Sequence, residues 1–316
     1  MCTTCGCSNG NVTIDGHKEG HNHAHHHHDH NHDHHHDHNH DHHHDHAHSH
    51  DHHEHSHHEH KDVLDYGAGP ARAHAPGLSQ TRMVQIEQDI LAKNDSYARE
   101  NRTRLEQEGV FALNILSGPG AGKTTLLVET LRQIGQSFSV FVIEGDQQTS
   151  RDAERIREVG APAVQINTGK GCHLDAHMVG HAIDHLPLSV GGVLFIENVG
   201  NLVCPAAFDL GEKRRVTLLS IAEGEDKPLK YPDIFHGADL VLLTKSDLYP
   251  HLQVNKQVLK ENINRIVPKS HVIDVSSYSG EGMSDWLEWL RAERKAFLES
   301  LASQAQLRAD MLRKAS

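Results

Sequence analysis

Apolar runs of strand length recur along the chain from position 111 onward. They are "FALNIL" (111–116), "FSVFVIEG" (138–145), "AVQIN" (163–167), "GVLFIE" (192–197), "VTLLSIA" (216–222), "LVLLTK" (240–245) and "HVIDVS" (271–276). Most are near-continuous rather than alternating, which is the pattern of strands covered by helices on both faces. Helical segments are expected between them, for instance at 124–134, 151–160 and 252–267. The expectation is an α/β domain with a mostly parallel sheet flanked by helices, spanning 109–300. Trp286, Trp289 and Leu290 are expected to dock a helix near its end, with 301–316 as a helical tail. Ahead of the first strand, Met83, Ile86, Ile90 and Leu91 fall at helical spacing in a charged background, predicting an amphipathic helix over 79–108.

Before residue 79 the periodicity disappears. Residues 61–78 hold Gly67, Gly69, Pro70, Pro76 and Gly77 and read as a linker. From His17 to His60 stand 26 of the chain's 34 histidines, interleaved mainly with Asp, Asn and Ser, and this tract has too little apolar surface to offset its ordering entropy. The expectation is a disordered tail. Neutral imidazoles are good ligands for Ni²⁺ and Zn²⁺, so residues such as His25, His26, His27, His28, His34, His35, His36, His42, His43 and His44 are candidate metal donors. A purification tag is a poor description of the repeat "DHHHDHNHDHHHDH", which lies behind a cysteine motif rather than at a terminus.

The first 60 residues carry −9 of the formal net charge of −13. The remainder has no basic excess, which argues against nucleic-acid binding. No leader-like segment follows Met1 and no run of 18 apolar residues occurs, so a cytoplasmic, non-membrane protein with reduced thiols is expected. The five cysteines then call for chemistry other than disulfides.

Directly after the first strand comes "SGPGAGKTT", Ser117 to Thr125. Here Gly118, Gly120 and Gly122 let backbone amides converge on phosphate oxygens, Lys123 reaches the β/γ phosphates, and Thr124, followed by Thr125, can hold Mg²⁺. The strict pattern has glycine where Ser117 stands. In "LTKSD", Lys245 can pack along a purine while the Asp247 carboxylate accepts two hydrogen bonds from guanine and would be left unpaired by adenine. "VSSYSG" places Ser276 and Ser277 where a loop would meet guanine O6, so GTP is the expected nucleotide. "FIENVG" ends a buried run with Glu197 and Gly200, matching a switch in which the acid sits near Mg²⁺ and the glycine amide senses the γ-phosphate. Asp146 is a candidate for the metal or the attacking water, with a helix-capping acid as the competing assignment. With Lys123, Thr124, Asp146 and Glu197 as the catalytic set and neither an arginine finger nor a water-orienting glutamine apparent, slow hydrolysis is expected.

Two cysteine sets remain. Cys2, Cys5 and Cys7 of "MCTTCGC" can close round one soft or borderline ion, and removal of Met1 would add an α-amine, giving square-planar Ni²⁺ with nitrogen and sulfur donors. Cys172, His173 and Cys204 form a candidate Cys/His site that would move with the switch, with His177 as a less secure further ligand. A plain buried thiol at Cys204 is the competing assignment.

Together "MCTTCGC", "SGPGAGKTT", "VIEGDQQTSRDAERI", "INTGKGCHLDAHMV" and "FIENVGNLVCPAAFDLGE" resemble the HypB family of hydrogenase-maturation GTPases, within the SIMIBI class of P-loop NTPases. The resemblance covers the first seven residues and nearly all of 79–290. It implies a GTP-dependent homodimer that works with a HypA-type nickel-delivery protein on the [NiFe] hydrogenase large subunit. It also implies a nickel site at Cys2, Cys5 and Cys7, and a nickel or zinc site at Cys172, His173 and Cys204. The histidine tract varies within that family, so its storage role rests on composition. A urease-type nickel GTPase would lack the cysteine head, a storage protein would not link release to GTP, and a small-molecule kinase would not carry TKSD.

Overall fold

A computed structural model describes residues 13–14, 17–18 and 80–315, apart from 135–136, 148–150 and 170; for 13, 14, 17, 18, 80, 81 and 83 only the backbone is described. The cysteine head (Cys2, Cys5, Cys7), nearly all of the histidine tract and the 61–78 linker lie outside the described residues. All seven apolar runs form strands: β3 (Phe111–Ser117), β4 (Val140–Asp146), β5 (Ala163–Asn167), β6 (Val193–Glu197), β7 (Arg214–Ser220), β8 (Leu240–Thr244) and β9 (His271–Val275). They pair in the order β5-β4-β6-β3-β7-β8-β9, parallel throughout. The central strands β3, β6 and β8 are buried at every position, as continuous apolar runs require.

Two short strands were not expected. β1 (Thr13–Ile14) and β2 (His17–Lys18) pair antiparallel, and β1 also adds antiparallel to β5, Thr13 opposite Asn167 and Ile14 opposite Ile166. The signal was in the sequence: an Asp15–Gly16 pair follows the β-prone "VTI". His17, taken as the first residue of the tract, is therefore paired.

Helices α1 (Gln80–Gln107), α2 (Lys123–Ile134), α3 (Arg151–Glu158), α4 (Ala176–Asp184), the one-turn α5 (Lys227–Lys230), α6 (Lys256–Ile266) and α7 (Met283–Ala315) cover the sheet. Helix α7 runs unbroken for 33 residues across position 300, so the expected helical tail continues the helix that docks on the domain. No Gly or Pro interrupts it. Trp286 is buried at 1% exposure, stacks on Trp289 and donates from Nε1 to Thr130 Oγ1 at 2.8 Å, docking α7 on α2.

The helix α1 was predicted, but its buried face differs. Ile90 is half exposed, whereas Asn94, Ala98, Asn101 and Leu105 turn inward. Two of these are polar because they clamp backbone. Asn94 accepts from the Ala176 amide (2.9 Å) and donates to the Asp209 carbonyl (2.8 Å). Asn101 donates to the carbonyls of Ala176 (2.7 Å) and Leu210 (3.1 Å). Helix α1 thereby fixes the start of α4 and the 209–211 turn.

Trp286→Ala is expected to destabilise the domain by about 3–5 kcal/mol through the lost ring volume and the orphaned Thr130 contact. Denaturant unfolding followed by circular dichroism checks it, and a change below about 1 kcal/mol would show that α7 docks elsewhere.

Candidate nucleotide and metal site

Every loop in question leaves the carboxyl end of a parallel strand, so the sheet gathers them on one edge. The turn after β3 has Gly120 at φ +73° and Gly122 at φ +93°, conformations open to glycine. Ser117 proves to be the last residue of β3 rather than the first of the turn. Its hydroxyl accepts from Lys123 Nζ (3.0 Å) and donates to the Gly118 carbonyl (2.6 Å), so a serine fits where the strict motif has glycine. The purine side is tied to the same turn: Thr244 Oγ1 donates to the Ala121 carbonyl (2.7 Å) and Lys245 Nζ to the Gly120 carbonyl (2.8 Å). Lys245 holds a left-handed φ of +60°, the one non-glycine residue to do so among those described. Asp247 Oδ1 accepts from Ser276 Oγ at 2.5 Å, and that hydroxyl in turn accepts from the amides of Tyr278 (3.2 Å) and Ser279 (3.1 Å). Asp247 and the 276–279 loop are thus brought together as the sequence predicted. Ser277 sits beside them, half buried.

At the centre of the edge, Thr124 Oγ1 donates to Glu197 Oε1 at 2.7 Å. Glu197 is 3% exposed and its Oε2 has no hydrogen-bond partner. A second acid, missed in the sequence, stands next to it: Glu144 is opposite Glu197 across the β4–β6 ladder, 2% exposed, and its Oε2 is also unpartnered. The available signal was a carboxylate embedded in the apolar run "FVIEG", two residues before Asp146. Burial raises the Glu144 carboxyl to about 9, with Glu197 and Asp146 adding to the rise and Lys123 opposing it. Burial likewise raises Glu197 to about 7, against Lys123 and the Thr124 hydrogen bond. Desolvation pushes the Lys123 ammonium down while Glu197 and Glu144 pull it up. Two orphaned carboxylate oxygens beside a threonine hydroxyl are a donor set that fits a hard cation such as Mg²⁺. Asp146 ends β4 and its carbonyl accepts from the Thr168 amide (2.9 Å); α3 begins only at Arg151, so it does not cap that helix.

The segment after Glu197 leads to the candidate metal ligands. Gly200 packs so tightly on the nucleotide turn that an added Cβ would meet Pro119 Cα at 3.0 Å. Asn198 Oδ1 accepts from the Leu174 amide (3.1 Å), and Asn201 Nδ2 donates to the Cys172 carbonyl (3.3 Å). Cys204 opens a 3₁₀ turn just beyond. The ligand atoms of Cys172, His173 and Cys204 all lie within 4.8 Å of one another, and Cys172 Sγ is 3.7 Å from His173 Nδ1. Metal–sulfur and metal–nitrogen bonds of about 2.3 and 2.0 Å put tetrahedral neighbours about 3.5 Å apart, so the geometry suits one borderline ion. His173 is buried, stacks on Phe208 at 4.0 Å between ring centroids, and is held below its ordinary value by desolvation, which favours the neutral ligand form. Cys204 is half buried, not a core thiol. His177 is not grouped with this triad; on α4 its Nε2 lies 3.1 Å from that of His181, and Tyr97 packs on its ring.

Both buried acids hold protons more tightly folded than unfolded. Between about 4.5 and about 9 the folded chain keeps protons that the unfolded chain has lost, so stability falls as pH rises. In nucleotide- and metal-free protein, Glu144→Gln is expected to flatten the fall of Tm between pH 5 and pH 9. A wild-type slope kept intact in the variant would remove Glu144 as its source.

The CobW/HypB/UreG nucleotide-binding domain model matches residues 112–274. The hydrogenase maturation factor HypB of Azotobacter vinelandii is 54% identical, covering 97% of this chain and 98% of its own. That of Escherichia coli K12 is 47% identical over 94% of this chain and 100% of its own. Among solved structures, HypB of Helicobacter pylori in complex with nickel superposes with a TM-score of 0.61 at 40% identity, covering 65% of this chain and 96% of that one. HypB of Archaeoglobus fulgidus also gives 0.61, at 38% identity, over 65% and 100%. With a glycine turn, a buried switch acid and a Cys/His triad arrayed along one sheet edge, and with these relatives matching nearly end to end, the chain belongs to the HypB family of hydrogenase maturation factors.

Proposed function

We propose that this protein hydrolyses GTP and uses the nucleotide's state to govern delivery of nickel to the [NiFe] hydrogenase large subunit. The observation that carries this reading is the continuity of one segment, Glu197 to Cys204. At one end its carboxylate accepts from Thr124, in the middle Gly200 lies against the nucleotide turn, and at the far end Cys204 joins the Cys/His triad. A γ-phosphate that draws the Gly200 amide would move a metal ligand four residues away. Asn201, bonded to the Cys172 carbonyl, would pass the same displacement to the other thiol.

The roles follow from the geometry. Lys123 would leave the Ser117 hydroxyl to meet phosphate oxygens, and Asp247, preset by Ser276, would accept from guanine. Thr124, Glu197 and Glu144 would hold Mg²⁺, which when bound offsets charge on the phosphates. The triad would take Ni²⁺ as cargo and is chemically open to Zn²⁺ as well. Cys2, Cys5 and Cys7 would form a separate nickel site. A HypA-type protein is the proposed delivery partner, the active form a GTP-dependent homodimer, and the cytoplasm the compartment. Among the described residues no helix is long and apolar enough to cross a membrane.

Lys123→Ala is expected to abolish GTP turnover and, in cells at low nickel, hydrogenase activity, with surplus nickel restoring the latter. Hydrogenase activity undiminished at low nickel would leave storage as the better reading. For the tract, a chain lacking residues 17–60 should bind fewer nickel ions by on the order of 6 to 13, at two to four imidazoles each. The wild-type surplus should empty as pH falls through about 6. Equilibrium dialysis with Ni²⁺ decides it: equal capacity in the two chains ends the storage proposal.

A further inference from the structure

The glycine turn has a neighbour that the roles above leave unused. Helix α3 lies against α2, and from its first turns Arg155 reaches across so that Nη2 donates to Thr125 Oγ1 at 3.2 Å, while Nη1 donates to Asp152 Oδ1 at 3.1 Å. Thr125 directly follows Lys123 and Thr124 at the start of α2, where helix amides converge on phosphate oxygens. A guanidinium touching that residue is one side-chain length from the phosphate path. Among the described residues nothing else ties it down strongly. The Arg155 side chain is 43% exposed and its ion pair with Asp152 is an i,i+3 pair at the surface, an interaction of small worth. With the buried acids offset by protons or a divalent cation, the one side-chain cation assigned so far to the phosphates is Lys123, and a triphosphate carries more negative charge than one ammonium offsets. Arg155 also acts on Glu197 electrostatically, partly offsetting the effect of burial.

We propose that Arg155 is an arginine supplied in cis, which turns from Thr125 to the phosphate oxygens of bound GTP and offsets the negative charge that develops on them during hydrolysis. The sequence hid it because it stands in "RDAERIRE", where three charges of each sign read as a solvated helix face. This inference rests on the GTPase reading but goes beyond it, since it assigns a catalytic arginine where none was apparent. Arginines in this role contribute about 10³–10⁵ in rate when brought by a partner; one already resident in the chain, acting in a slow enzyme, is expected to contribute at the lower end or below.

The test uses the full chain with GTP. Arg155→Ala is expected to lower kcat by about 100-fold or more with KM changed only a few-fold, and Arg155→Lys to recover part of the loss. Added guanidinium chloride in the millimolar range should partly restore kcat to the alanine variant. It should do nothing for Lys123→Ala, which keeps Arg155 and loses a different group. Binding of GDP with aluminium fluoride, a mimic of the transferring phosphoryl group, should weaken in Arg155→Ala while GDP alone binds as before. An unchanged kcat overturns the proposal. So does a loss that neither lysine nor guanidinium repairs and that comes with a matching fall in GDP affinity, because that pattern means Arg155 only docks α3 on α2. Should wild type itself show no GTP turnover, the GTPase reading fails first, and retained GDP–aluminium fluoride binding would tell the two failures apart.

Discussion

Two carboxyl groups shut away from water, Glu144 and Glu197, face each other across adjacent strands at the middle of the sheet's functional edge. Carboxylates in that setting cannot both stay charged without compensation. Protons supply it in the empty protein, and a divalent cation is the natural alternative, since each acid leaves one oxygen unpartnered and Thr124 offers a hydroxyl beside them. The arrangement of the surrounding groups follows from this constraint. Lys123 is drawn inward by the same acids yet rests on Ser117, a neutral partner it can leave. The segment that runs to Cys204 starts from one of the two acids, so whatever settles the charge at Glu197 is felt at the first residue of that path.

The metal triad is built differently, by backbone clamps rather than charge. Asn94 and Asn101 of α1 hold the first residue of α4, Asp175 caps that helix through the Met178 amide (2.8 Å), and His173 is pressed against Phe208. The imidazole thus sits on a fixed platform, while both thiols are tied to the segment that follows Glu197, Cys204 by the chain itself and Cys172 through Asn201. Displacement of that segment would shift both thiols against the anchored imidazole and loosen the hold on an ion without dissolving the site.

The sheet was legible because both of its faces are covered, which leaves a purely apolar run as the strand signature. Motif spacing picked out Lys123, Thr124, Glu197, Asp247 and the Cys172–His173–Cys204 set as candidates, and the fold brings them to the same edge. What escaped had physical reasons. Asn94 and Asn101 look like surface residues, yet they are buried by bonds to backbone atoms about 75 to 115 positions away in the chain, which no local pattern contains. Glu144 was lost inside an apolar run because a buried acid is rare enough to be discounted there. Ser117 looked like a defect in the motif until its hydroxyl was seen to serve Lys123.

The pairing of β1 with β5 joins residues 154 positions apart, the first described segment of the chain with one in the middle of the domain. On a ribosome delivering about 5–20 residues per second, Thr13 and Ile14 would wait on the order of 10–30 s for their partner strand to be made. Until then β5's place in the sheet does not exist, and afterwards β5 is an open edge of the kind that recruits stray strands. The strand that closes it is already tethered to the same chain, at the head of the histidine-rich stretch. Closure of that edge therefore waits for the middle of the domain to be made, and synthesis order sets the earliest time at which Thr13 and Ile14 can pair with it.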